Sequence, residues 1–474
     1  MVARWQGWHG ERVRSWRRAL ATATTVLALA VLPGCGDSPD ERAQAIGYSL
    51  EQVEGVSRVE TSTPSGMFTR EVHATAHITG PIRRESYERV ASAVREYRTQ
   101  ERTGAFGSPA GVWVEGSIGR APVPTDDAAA DLVAAWVEEL ADASDPVTGY
   151  EIDGTTRYHI ALTTDDPLAA AHRYATGDGA LASDPDIPAT FTAARPGPDA
   201  RTGDGVESVE VPLGDPDTVA QLDALRRSSE VAGRGGPALL RLFNETVSVA
   251  VEGQKPAELV GLHADVAEVA CDHLGVSTRS GAFSVEGCGD LTGARELVAS
   301  LKGFDLTSFE ADTNPDAVQV VGVREVDDLL AVTELDLEDR LYLVKAGSSR
   351  TGLISVTGTT ADMRALAPVA AAAAGDGREV TAARASDDGE VDVTITGEIP
   401  DPAAIFRAMR EASWSGELTF GIRTPEPRRS AVRWTSTVDG PAQRVGPIRG
   451  DADDRTMGEA TKALVAAWDA SASG

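Results

Sequence analysis

One pattern constrains this chain more than any other: two short strand-like stretches followed by a helix-like one, again and again. In EVHATAHITG (residues 71–80), Val72, Ala74, Ala76 and Ile78 share one parity, and His73, Thr75, His77 and Thr79 share the other. That period of two belongs to a half-buried strand. VSRVETS and a turn at TPSG come before it. After it Tyr87, Val90, Ala91, Val94 and Tyr97 keep the spacing of an amphipathic helix. VTAARASDDGEVDVTITG (380–397) repeats the plan, with a DDG turn between strands and a helix opening at Asp401 and Pro402 and carrying Ile405, Met409 and Ala412. LYLVKAGSSRTGLISVTG before TADMRALAPVAAAAAG, and FDLTSFEADTNPDAVQVVG before VREVDDLLAVTEL, do the same. Weaker copies lie at YEIDGTTRYHIALTT and VEVPLG.

About ten such units fit the chain. Two in succession read ββαββα; begun one strand later, the string is βαββαβ, the ferredoxin-like plan. The expected class is therefore α+β, with antiparallel or mixed sheets and helices on one face. Its 474 residues exceed one ordinary domain. The expected division is five modules: 46–145, 146–234, 235–302, 303–375 and 376–474. Residues 176–204, rich in Gly, Pro and Asp, are expected to be a flexible stretch within the second. Thr-Gly recurs where a strand hands over to a helix, in ITGPI (78–82), SVTGTT (355–360) and ITGEI (395–399). LVAAW recurs at 132–136 and 464–468, after the tryptophan-bearing strands VWVEGS and VRWTST. The shared order points to duplication of the first and last regions.

The N-terminus has a different logic. Five arginines (Arg4, Arg12, Arg14, Arg17, Arg18) precede an apolar run from Ala19 to Leu32, which ends in LPGCGD. The run is shorter than the roughly 20 residues of a bilayer span and suits the core of a signal peptide. With Leu32, Gly34 and Cys35 in place, the segment resembles a bacterial lipoprotein signal; Pro33 stands where Ala, Ser or Thr is usual. The resemblance implies that residues 1–34 are removed, that Cys35 takes a diacylglyceryl group, and that 35–45 form a tether. Two acyl chains hold a protein at a membrane where one does not. The polar tract GDSPDERAQA fits a tether. The implied location is the extracytoplasmic face of the cell membrane. The scarcity of lysine, with four among 44 basic residues, and the abundance of Ala, Gly and Asp suggest an actinobacterial coding bias.

The formal net charge is -29, and loss of residues 1–34 makes the remainder more acidic still. Such a surface repels nucleic acid and anionic headgroups. The membrane is thus a partner through the lipid anchor alone. Cys271 and Cys288 are the other two cysteines, and outside the cytoplasm the pair points to a disulfide closing a short loop. A metal site with His273 is the alternative, but it lacks an evident fourth ligand.

No GxSxG, SxxK, HExxH or GxxxxGK is present, and no cofactor motif is read. His73 and His77 lie about 13 Å apart along a strand, too far for one ion. DADD (451–454) has Thr456 and Lys462 where a calcium loop needs Gly and Glu, so it reads as the start of a helix. Trp113 and Trp434, in valine-flanked strands, form a candidate binding surface if they point away from the valines; otherwise each lies under a helix. The expected function is a non-enzymatic binding or scaffold protein that meets an envelope protein or a cell-wall ligand. The alternatives are a transporter's solute-binding protein, which needs two parallel α/β lobes, and an enzyme without a readable motif.

Overall fold

The computed structural model describes residues 39–472 apart from 64–71, 102–110, 142–146, 155–156, 177–180, 182–187, 197–204, 339, 349–351, 376–377, 385–389, 396–401, 413–416, 424–430, 438–439 and 448–453. Helix α1 (Pro39–Glu51) leads. The first unit is β1 (Val56–Ser62), β2 (His73–Ile78) and α2 (Arg84–Glu101). Then come β3 (Gly111–Glu115), β4 (Gly119–Pro122) and α3 (Asp127–Ala141); β5 (Val147–Gly154), β6 (Tyr158–Thr164) and α4 (Pro167–Thr176). Next are β7 (Ala189–Ala194), β8 (Gly205–Pro212) and α5 (Thr218–Gly233); β9 (Ala238–Phe243), β10 (Thr246–Val251) and α6 (Pro256–Ala270). They are followed by β11 (Gly275–Ser280), β12 (Phe283–Glu286) and α7 (Thr292–Ser300); β13 (Leu306–Asp312), β14 (Gln319–Val323) and α8 (Val326–Thr333). The last are β15 (Tyr342–Ser348), β16 (Gly352–Gly358) and α9 (Thr360–Ala373); β17 (Glu379–Arg384), β18 (Glu390–Ile395) and α10 (Pro402–Glu411); and β19 (Glu417–Arg423), β20 (Ala431–Thr437), β21 (Gln443–Pro447) and α11 (Asp454–Ser471). The repeating hairpin–helix unit is therefore present ten times among the described residues.

The units join into one mixed sheet. Strands within each hairpin pair antiparallel, as in β1–β2 and β5–β6. The strand before each crossover helix pairs parallel with the strand after it, as in β2–β3, β6–β7 and β10–β11. The expected ferredoxin-like modules are not there. That plan separates the two strands joined by a helix with a third strand; here they are immediate neighbours, so nothing closes a module off. Ladders cross every expected boundary: β4–β5 at 145/146, β8–β9 at 234/235, β12–β13 at 302/303 and β16–β17 at 375/376. Since each hairpin reverses the chain, successive crossover helices run in opposite directions.

One side of the sheet holds the core. Strand residues of one parity are buried, and the register puts buried opposite buried: Ala76 with Val114, Ile160 with Phe191, Phe191 with Val211, Val247 with Val276, Val321 with Val344. The helices lay their apolar stripes on this face, for example Tyr87, Val90 and Val94 of α2 and Leu222 and Leu225 of α5. Each such large side chain contributes about 1.5–3 kcal/mol by leaving water. The opposite parity faces away from the helices.

Two expectations need correction here. Residues 39–45 are the first turns of α1, because Pro39, Asp40 and Glu41 suit a helix start and Ala43, Ile46 and Leu50 form a buried stripe. Residues 39–45 of the expected tether are therefore helical. The stretch 176–204 is not uniformly loose: it contains β7, which pairs in parallel with β6 and buries Phe191.

The Thr-Gly corners have a physical cause. Gly80 adopts φ +87°, a conformation that favours glycine. At the corner after β16, Thr359 caps α9: the Asp362 N–H donates to its hydroxyl and the Asp362 carboxylate accepts from its N–H. A Cβ on Gly358 would stand 2.6 Å from the Asp362 Cβ, so only glycine leaves room for that cap.

Candidate functional site on the open sheet face

The side of the sheet away from the helices is largely polar, interrupted by apolar residues such as Phe243, Val320 and Leu343. Hydroxyls recur on it, including Thr75, Thr163, Thr192, Ser248, Ser277, Thr357, Thr381 and Thr394. Period-two alternation explains this: every second residue of each strand is excluded from the helix side.

At the β1–β5 end this face carries an aromatic and charged cluster. Trp113 is half-buried, and its ring stacks on His73 with centroids 5.3 Å apart and planes at 22°. The Arg120 guanidinium lies 5.1 Å from the indole centroid, within cation–π range. The indole leans over Gly111, where a Cβ would stand 2.8 Å from a ring carbon and 3.2 Å from His73 Nδ1. Gly111 is thus the recess that lets the ring lie along the sheet. Alongside, His77 stands between Glu60 at 3.7 Å and Glu115 at 3.8 Å, Arg58 pairs with Glu60 at 2.6 Å, and Arg120 reaches Glu151 at 3.6 Å. The cluster presents a flat aromatic surface edged by both signs of charge. That combination suits a polar partner with one planar or apolar element.

The two candidate tryptophans part company. Trp113 points to the open face, as its flanking valines imply: Val112 and Val114 are buried on the helix side. Trp434 does not. It is 1% exposed, packed edge-on to Phe406 at 5.6 Å and against Trp468 at 5.3 Å. The reason is parity: Val112 and Val114 are adjacent to Trp113 and so set it on the other side, whereas a valine two residues off in sequence, as in VRW, sets no such opposition. Trp468 belongs to the second LVAAW, and Arg410 secures it with its guanidinium 4.0 Å from the ring and a bond to the Trp468 carbonyl at 2.7 Å. Trp136 of the first LVAAW is buried against Tyr158. The two LVAAW helices share the burial of their tryptophan and differ before it: Val133 and Ala134 are buried, whereas Val465 is half-buried and Ala466 exposed. The tryptophan strands differ: Trp113 faces away from the helices in β3, between parallel β2 and antiparallel β4, whereas Trp434 faces the core in β20, between antiparallel β19 and β21.

Cys271 and Cys288 form a disulfide, with Cα atoms 5.6 Å apart. This excludes the metal reading with His273, which is exposed. Among the described residues no group of three or more His, Cys, Asp or Glu is placed to hold a metal ion. Leu32, Gly34 and Cys35 lie outside the described residues. No described helix is long and apolar enough to cross a membrane.

Sequence reasoning missed His263. It is fully buried in α6, with Nε2 2.8 Å from the Gly287 carbonyl and Nδ1 3.1 Å from the Thr278 hydroxyl. A carbonyl only accepts, so Nε2 carries the proton and Nδ1 accepts from Thr278. Burial lowers its pKa below the ordinary imidazole value, partly opposed by the Gly287 bond and the charge of Asp312. The signal was available: His263 occupies the apolar stripe with Leu259, Val260 and Val266.

Comparison with protein-family models, with curated proteins and with solved structures finds no match.

Proposed function

We propose that this chain is a lipid-anchored protein of the extracytoplasmic cell-membrane face that binds an envelope protein or cell-wall ligand on its open sheet face. The supporting observation is the His73–Trp113–Arg120 cluster, on a face where hydroxyls recur from β2 to β18. Repeat architectures bind partners on such extended faces. The Cys271–Cys288 disulfide is consistent with an oxidising compartment, and the resemblance of residues 1–37 to a lipoprotein signal supplies the anchor at Cys35. A two-lobed solute-binding protein fits less well, because one sheet covered by helices on one side leaves no cleft between lobes.

Two measurements test the reading. Labelled lipid is expected on the native chain and not on Cys35→Ser; uptake by the variant overturns the anchor. Photocrosslinkers placed at Thr192, Ser248 and Thr381 on the open face are expected to capture one envelope component, and those at Glu96 and Glu268 on the helix side are not. Capture from the helix side alone would refute the binding face. Trp113→Ala is expected to weaken that capture by about tenfold, as for an interfacial aromatic anchor.

A further inference from the structure

The helix side carries a cleft that the reading above does not use. It has a volume of about 880 Å³ and lies where the α6 N-terminus meets the α7 C-terminus and the turn into β13. Val260, Val298, Leu301, Phe283, Phe304 and Leu306 supply its apolar lining. Lys255, Arg295 and Lys302 stand around it, all exposed. This is half of the chain's four lysines in one place, in a protein of net charge -29. No ion pair is formed by these three among the described residues. The one acid in the lining, Asp305, is paired with Arg324 at 3.0 Å. The α6 N-terminus adds its own positive end.

Volume and lining match a small-molecule site, which typically measures roughly 300–1,000 Å³. The chemistry is that of an amphiphile: an apolar body against valine, leucine and phenylalanine, and an anionic group among three cations. The disulfide strengthens the case. It ties the α6 C-terminus to the segment leading into α7, so the two helices are fastened at the end away from the cleft. We infer that this cleft binds a long-chain acyl carboxylate, with its chain between α6 and α7 and its carboxylate held by Lys255, Arg295 and Lys302.

The test uses the full chain in zwitterionic nanodiscs and a sixteen-carbon carboxylate bearing a diazirine. Light-induced adducts are expected to map to residues 256–260 and 298–306. Palmitate is expected to compete; its methyl ester and an alkyl trimethylammonium are not. Joint Lys255→Glu, Arg295→Glu and Lys302→Glu should lower labelling at least about tenfold. Val260→Trp, which fills the cleft while keeping all three cations, should do the same with the melting temperature preserved. Adducts spread over other helices, or labelling that survives both variants, would overturn the inference. So would adducts that appear only when anionic lipid replaces the zwitterionic disc, since the chain would then be meeting a membrane surface. The cleft and the open face lie on opposite sides of the sheet, so either can fail alone.

Discussion

At the scale of single residues, the chain shows how much turns on parity. Trp113 was legible from its immediate valine neighbours, and the structure places it on the open face. Trp434 follows the other course that its sequence left open, under a helix, because a valine two residues off in sequence gives no reason for it to face away. Cys271 and Cys288 were legible because an isolated pair has few other fates. His263 was overlooked because the histidines that drew attention were those on polar faces; its place on an apolar stripe was the available clue. It gives a direct prediction. Its folded pKa is depressed, so its contribution is fully present above the ordinary imidazole range near 6.5 and is lost as pH falls through that value. The melting temperature should drop between about pH 7 and pH 5. His263→Leu should cost about 1–3 kcal/mol at pH 7.5, by leaving the Gly287 carbonyl without its donor, and should flatten that pH dependence. A variant as pH-sensitive as the native chain would reject this role.

At the scale of elements, most of the hairpin–helix units could be read because each has its own period and its own turn chemistry. What could not be read was how they join. The same ββαββα string serves closed ferredoxin-like modules and an open sheet, and the choice depends on whether the crossover skips a strand, which leaves no local trace in sequence. The hairpin of β9 and β10 turns through Asn244 and Glu245, both at positive φ, +48° and +57°. Tight hairpins favour Asn-Gly at this place. Glu245→Gly should therefore stabilise by on the order of 1 kcal/mol, measured by denaturant melting; a destabilised variant would show that the Glu245 side chain contributes something unrecognised. The disulfide belongs to this scale too. It closes a loop with a sequence separation of 17, and its reduction should cost about 3 kcal/mol. Amide exchange should rise first in α6 and α7, where the staple acts; a uniform rise would contradict a local role.

At the scale of the whole molecule, no ladder among the described residues joins β1 to β21, so the sheet stays open there. Its outermost strands carry features that discourage pairing with another chain: β1 has a register shift between Val56 and Arg58 and exposes Arg58 and Glu60, and β21 is short and ends in Pro447. The alternating direction of the helices has a consequence for chirality. With strands in sequential order and every helix on one side, reversing the strand direction reverses the hand of the crossover. The crossovers made by α2, α4, α6, α8 and α10 therefore share one hand, and those made by α3, α5, α7 and α9 have the other. Parallel crossovers in nearly all proteins are right-handed, so this chain must accept the disfavoured hand at every second join. Cooperative blocks should accordingly span two units, with protection against exchange breaking at alternate helices; blocks of one unit, or a single global block, would show that handedness does not set where the molecule comes apart.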